Sequence, residues 1–136
     1  ITQDERARNL VVDAAQRAFD KEGLPLQAMP GHNEMSDAVF MGCPILALAG
    51  RITGETRYFD MCLQHMHYML QLNLRADGLH RHSPLDDTAW GRGNGFPALG
   101  LAFGLEAIPD AYPGRDEMLK AFQEHMVALK RHQDVT

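Results

Sequence analysis

A surplus of positive charge is the first thing this sequence lacks. Its 13 lysines and arginines are outnumbered by 18 aspartates and glutamates, for a net charge of −5. Holding a phosphate backbone needs a basic face, so no nucleic-acid partner is expected. There is also no apolar run long enough to cross a bilayer, which removes a spanning helix and leaves no reason to expect a membrane partner. Cysteine is scarce, with only Cys43 and Cys62. Both fall in apolar helical pattern and read as free, buried thiols, which fits a reducing, cytoplasmic compartment; a pairing between them stays open. No long segment shows the strict alternation of a strand. The chain begins with Ile1 rather than Met, so a preceding piece, a targeting segment included, also stays open.

What is present is helix periodicity. Asp4 to Glu22 carries Leu10, Ala14, Ala15, Ala18 and Phe19 on one face and stops at Gly23. Thr56 to Asn73 carries Phe59, Cys62, Leu63, Met66 and Leu70. Gly114 to His132 carries Met118, Phe122, Met126 and Leu129. These three are amphipathic. Met41 to Ile52 and Phe96 to Ala107 are apolar nearly all round, the mark of a helix buried on every side. At 136 residues, 45% of them apolar, there is material for one domain and a packed core.

The amphipathic and buried segments alternate, and the alternation hides a repeat. Gly42-Cys43-Pro44-Ile45-Leu46-Ala47-Leu48-Ala49 matches Gly95-Phe96-Pro97-Ala98-Leu99-Gly100-Leu101-Ala102 at Gly, Pro, both Leu and the last Ala. Gln64-His65-Met66 matches Glu124-His125-Met126, each at the same distance from a turn glycine, Gly54 or Gly114. Two matches in one order imply a repeated helical hairpin. Connections from buried to amphipathic helix are short; those from amphipathic to buried helix, Gly23 to Ser36 and Arg75 to Gly93, are long. Such hairpins close into an all-α α/α toroid with the buried helices inside, and the long loops then gather at one end, where sites are built. An α-solenoid is the competing arrangement. With about two and a half hairpins, residues 1–136 read as one partial α/α-toroid domain of a larger ring. The rest of that ring, or self-association, would have to cover the inner helices, because large apolar patches do not stay exposed.

The chemistry-bearing stretch is Asp86-Asp87-Thr88-Ala89-Trp90-Gly91-Arg92-Gly93-Asn94-Gly95-Phe96. It joins the only tryptophan to an arginine, two carboxylates and three glycines. The glycines offer a flexible backbone open to close approach. Trp90 offers a flat face for a sugar ring, and the guanidinium fork of Arg92 suits a carboxylate. The plain alternative for Arg92 is a salt bridge to Asp86, Asp87 or Glu106. The repeat places Asp37 opposite Trp90, so Ser36-Asp37 and the Trp90 loop should share one cleft; capping the next helix is the plain alternative for Ser36 and Asp37. Gly91, Gly93 and Gly95 have the wrong spacing for a dinucleotide fingerprint and follow no strand. His65 and His67, two apart on a helix, cannot share a metal. His80 and His82 share a loop, yet no third ligand stands at a recognisable spacing, so no metal or other cofactor is expected. His82 reads as a polar cleft residue, His80 as exposed, and His32 as a loop candidate of unassigned role.

Several motifs together resemble glycoside hydrolase families 88 and 105, the unsaturated glucuronyl and rhamnogalacturonyl hydrolases. They are Asp37-x-x-Phe40-Met41-x-x-Pro44, the turn Thr53-Gly54 before Tyr58-Phe59-Asp60, Asp77-Gly78-Leu79 leading to His82, Trp90-Gly91-Arg92-Gly93-Asn94-Gly95, and His132-Gln133-Asp134. The resemblance implies an (α/α)₆ barrel of six hairpins, no cofactor, and as partner an oligosaccharide ending in a 4,5-unsaturated uronic acid. It also implies a reaction unlike the usual two-carboxylate attack at an anomeric carbon. An aspartate protonates the C4=C5 double bond, water adds at C5, and the hemiketal opens to release the glycoside. Asp37 matches the acid/base position. His82, Trp90, Arg92, Met41 and Asn94 fall within the matching motifs and are expected to line the substrate site. Protonation near neutral pH calls for a neighbour that offsets the helix N-terminus, and Asp86 or Asp87 is the expected one. The chain departs from the family at Met35-Ser36, where an aromatic is common, at Phe96, where a tryptophan is frequent, and in lacking the earlier hairpin that carries a second aspartate. A non-catalytic helical-repeat module and an epimerase-like toroid enzyme with histidine acid/base remain alternatives from the residues alone.

Overall fold

The computed structural model describes residues 4–31 and 34–134, and His32 lies outside them. Five helices follow in order: α1 (Glu5–Gln16), α2 (Ala38–Thr53), α3 (Arg57–Asn73), α4 (Gly91–Ala107) and α5 (Arg115–Arg131). Among the described residues no β-strand forms; only isolated bridges tie turns together. No helix among these residues is long and apolar enough to cross a membrane.

α2 and α4 form the inner pair and pack most extensively on each other, with α1 and α3 outside α2 and α5 outside α4. The repeat explains the closeness. A Cβ on Gly100 would come within 2.6 Å of the backbone of Val39 and Phe40, so only glycine lets α4 press on α2 here. Gly104 does the same against Met118 of α5. The neighbours that the small residues of the second inner helix call for are therefore within this chain. Val39, Cys43, Leu46, Met66, Leu101 and Met118 are fully buried between the layers. Cys43 and Cys62 lie there as free thiols, and each thiol points at the other's backbone carbonyl. The bond to Cys43 together with burial pushes the Cys62 thiol well up, so it stays protonated.

Three boundaries differ from the periodicity. α1 ends at Gln16, because the Asp20 carboxylate accepts the Glu22 and Leu24 N–H groups and fixes a turn that closes at Gly23 with φ 81°. Ala18 and Phe19 are buried as expected, but from that turn and not from a helix. α2 starts at Ala38 and α4 at Gly91, both ahead of their apolar runs. Gly91, Gly93 and Gly95 are thus the first turns of a helix and not a flexible loop, with the Asn94 N–H bonded to the Trp90 carbonyl at 3.1 Å. In α5 the buried face is Met118, His125 and Ala128, and Met126 is exposed. The buried histidine turns the helix by about one position relative to the apolar stripe. Along the inner pair, Met41, Leu99 and Phe103 are each nearly half exposed.

Candidate active site

The two long loops meet at the N-terminal ends of α2 and α4. The Ser36 N–H donates to the His82 carbonyl at 2.9 Å, and the Asn73 amide donates to the Glu34 carbonyl at 3.2 Å. The short connections gather at the opposite end, where Arg51 reaches the Glu106 carbonyl and Tyr112 reaches Asp60 at 2.7 Å. The scaffold therefore brings Asp37 and Trp90 to one end, as the repeat requires.

There Asp37, Arg92, Trp90 and His82 form one cluster. Arg92 Nη1 donates to Asp37 Oδ2 at 2.9 Å, and the guanidinium lies over the Trp90 ring at 4.2 Å and near Phe96 at 5.7 Å. The His82 ring meets Trp90 edge-on, with centroids 5.8 Å apart. Gly93 admits the indole, since a Cβ there would lie 2.4 Å from Trp90 Nε1. Trp90 is 40% exposed, so its ring is presented and not packed away. Only Nη1 of Arg92 has a hydrogen-bond partner among the described residues, which leaves Nε and Nη2 for an incoming carboxylate.

Capping, the plain alternative for Ser36 and Asp37, is not what they do. Residues 35–37 already coil, so the first N–H groups of α2 bond to the carbonyls of Met35, Ser36 and Asp37. The side chain of Asp37 caps nothing, and its Oδ1 is enclosed with no partner. Ser36 Oγ is likewise buried without one. Arg92 does form an ion pair, but with Asp37 and with none of the acids the sequence offers as its plain partners.

Other expected site residues move to different roles. Asn94 is not a surface for substrate. It is 2% exposed, and its amide is consumed within the chain: Oδ1 accepts the His80 N–H at 2.8 Å, while Nδ2 donates to the His80 carbonyl at 3.1 Å and the Trp90 carbonyl at 3.0 Å. Asp86 and Asp87 are not the neighbours of Asp37. Hydrogen bonds from Thr88 fold Asp86 into a tight turn and hold its carboxyl below the usual range. Asp87 turns to Arg75 at 3.4 Å. Met41 lines a separate cavity of about 180 Å³ with Arg17, Met29, Ile45 and His65. His80 is fully buried, contrary to the expectation of exposure. Burial, with the His125 ring 4.7 Å away, pushes it down to about 3, so it is neutral.

The residue missed at the site is His125. Its Nε2 faces the Asn94 carbonyl at 2.9 Å and its Nδ1 faces the Gly78 carbonyl at 3.2 Å. Both partners accept, so a neutral ring donates to only one of them at a time. The repeat held the signal, because His65 occupies the matching triplet. His65 Nε2 donates to the Ala38 carbonyl at 2.8 Å and its Nδ1 accepts the Met29 N–H at 3.1 Å. Burial lowers its proton affinity, consistent with that neutral tautomer. Outer helices α3 and α5 thus each send one buried histidine to the loop before an inner helix and to that helix's first turn. His67, by contrast, points outward to Glu117.

The family model described as Glycosyl Hydrolase Family 88 matches residues 1–136. Among curated proteins, no sequence matches the chain. Among solved structures, a polysaccharide lyase superposes with a TM-score of 0.77 at 18% identity, over 96% of this chain and 37% of that one. A family 88 glycosyl hydrolase from Bacteroides vulgatus gives 0.70 at 19% identity, over 75% and 33%. The unsaturated glucuronyl hydrolase of Bacillus sp. GL1, described as responsible for glycosaminoglycan degradation, gives 0.64 at 14% identity, over 96% and 41%. The chain therefore spans well under half the length of these structures. At such identities the likeness speaks for the fold alone, and that fold is the α/α toroid and not a solenoid.

Proposed function

This chain belongs to Glycosyl Hydrolase Family 88, and from that premise we propose that it carries the acid/base side of an unsaturated uronyl hydrolase site. The observation that carries the reading is the cluster itself. One carboxylate, one guanidinium with two unused donor groups and one exposed indole meet where two inner helices begin. A 4,5-unsaturated uronic acid has the complementary features, a flattened ring and a carboxylate.

In this reading the ring stacks on Trp90 and its carboxylate takes the free Nε and Nη2 edge of Arg92. Asp37 gives a proton to C4 of the double bond. Water adds at C5, and its released proton returns to Asp37, so the carboxyl group ends as it began. The C5 hemiketal then opens and frees the aglycone. His82, held against Trp90, bounds the ring on one side. The family's second aspartate belongs to an earlier hairpin, so activity is a property of the whole protein and the substrate is the non-reducing end of a lyase-generated oligosaccharide.

The fold is also carried by a polysaccharide lyase, so the alternative to test against is elimination instead of hydration. The two leave opposite signatures. A lyase creates the conjugated double bond and raises the near-ultraviolet absorbance; a hydrolase of this type destroys it and lowers the absorbance. Full-length protein mixed with an unsaturated uronyl disaccharide should lower it. A rise with intact polysaccharide, and no fall with the disaccharide, overturns the proposal in favour of a lyase.

A further inference from the structure

We infer that Asn94 and His125 are positioning residues, a buried clamp that sets the loop carrying His82 against the Trp90 platform. The inference rests on the site assignment above only for which residues the clamp serves; the clamp itself is a matter of geometry.

Three observations converge. The Asn94 amide grips residue 80 through both its N–H and its carbonyl, the pairing a neighbouring strand would offer, and spends its remaining donor on the Trp90 carbonyl. One side chain therefore fixes the backbone on both sides of the cluster, since His82 lies two residues beyond His80. His125 from α5 backs the clamp in turn, its ring set between the Asn94 carbonyl and the Gly78 carbonyl and donating to one or the other, so residue 80 is tied to α4 and residue 78 faces α5. Beyond the clamp the loop has its own ties: the His82 N–H goes to the Thr88 carbonyl, and the His82 carbonyl accepts from Ser36, next to Asp37. A rigid path thus runs from α5 through Asn94 and the loop to both His82 and the entry of α2.

The first hairpin supplies an internal comparison. His65 ties its loop and helix by the same design. At the position of Asn94, however, the repeat has Met41, which is half exposed and holds no loop. The loop before α2 receives a single amide bond, from Asn73 of α3 to the Glu34 carbonyl; the two-point grip from within the inner helix itself belongs to the helix that bears Trp90 and Arg92. A merely architectural staple would be needed equally in both hairpins. Buried polar groups so fully satisfied are rigid, and their loss leaves unpaired backbone behind.

The test uses full-length protein with Asn94→Ala, His125→Ala and His125→Gln. The glutamine amide nitrogen can stand where Nε2 stands and keep the bond to the Asn94 carbonyl. Hydrogen exchange of the peptide spanning residues 78–90 reads the clamp without any substrate. Asn94→Ala and His125→Ala should speed that exchange about tenfold or more while peptides of α2 and α3 keep wild-type rates. His125→Gln should restore most of the protection. On the unsaturated disaccharide the alanine variants should lose kcat by about tenfold to a hundredfold with a smaller change in KM, as expected of misplacement by a fraction of an ångström, and His125→Gln should recover it. Unchanged exchange at 78–90, or exchange faster everywhere alike, overturns the inference; if Asn94→Ala does not fold, the His125 pair decides alone. Loosened exchange in a protein whose wild type never consumes the disaccharide leaves the clamp standing and overturns the assigned reaction instead.

Discussion

Asp37 and Arg92 face each other at 2.9 Å, with the arginine half exposed. A pair with one partner this exposed adds little to stability, and the enclosed Oδ1 of Asp37 has no partner to lose, so a change of equal shape at the carboxylate does not endanger the fold. Asp37→Asn keeps its shape and removes its proton. It should cut turnover of the unsaturated disaccharide by about a hundredfold or more and leave the melting temperature unchanged; near wild-type turnover would take the acid role away from Asp37. Trp90 makes the complementary case. Its ring is presented and not buried, so Trp90→Ala should weaken substrate binding by about 1–3 kcal/mol yet lower the melting temperature less than Leu101→Ala, which empties a fully buried position. The reverse order in thermal melts would make Trp90 a core residue. His80 sets a pH dependence. In the unfolded chain it takes a proton near pH 6.5, and in the fold only near pH 3. Between those values the unfolded state holds more protons, so this residue's share of stability is intact above about pH 6.5 and falls as the pH drops toward 3. The buried His65 acts in the same direction. The loss of melting temperature between pH 7 and pH 4.5 should therefore be smaller in His80→Gln than in wild type, and an equal loss would show that His80 charges freely in the fold.

At the scale of the helices, the sequence announced some features and concealed others for identifiable reasons. Five helices, the inner pair and the end at which the site lies all follow from apolar periodicity and from the Gly-x-Pro repeat, which bury surface whatever the details. The starts of α2 and α4 do not, because polar and glycine residues carry no periodic signal and no side-chain cap opens either helix: α2 continues a preceding turn, and α4 starts straight after the extended Trp90. That Asp37 and Trp90 share one end was legible because the repeat pairs their positions; Arg92 and His82 were singled out by residue type and motif, and the structure adds that they gather with the other two. Asn94 and His125 were legible only as letters in a motif, since nothing in one sequence tells a substrate-facing amide from one spent on backbone. The glycines of α4 can be told apart in the same way. A Cβ at Gly100 strikes the α2 backbone at 2.6 Å, and one at Gly95 meets nothing within 4 Å. Gly100→Ala should therefore force the inner helices apart and cost about 1–3 kcal/mol, whereas Gly95→Ala should be neutral or gain up to about 1 kcal/mol from helix propensity. Chemical denaturation measures both, and equal effects would mean that α2 and α4 do not meet at Gly100.

The whole chain presents a curved wall with one side unfinished. Its outer helices bring charged faces to solvent, but the inner pair carries Met41, Leu99 and Phe103 at 48%, 47% and 45% exposure, with a groove of about 200 Å³ between Pro44, Leu48 and Phe103. These are the large apolar residues of helices whose sequences are apolar nearly all round. The chain accounts for 33–41% of the length of the α/α toroids that it resembles. Apolar surface of that extent is costly in water, at about 25 cal/mol per Å², and contiguous patches of it mark interaction sites. Expressed by itself, the 136-residue chain should therefore associate in a concentration-dependent way and bind a hydrophobic dye, and Leu99→Glu with Phe103→Glu should weaken both effects. Size-exclusion chromatography with light scattering reads the outcome directly. A monodisperse species of 15.2 kDa that unfolds cooperatively and binds no dye would mean that the inner face is covered from within, and the wall would then be a closed bundle and not an arc of a ring.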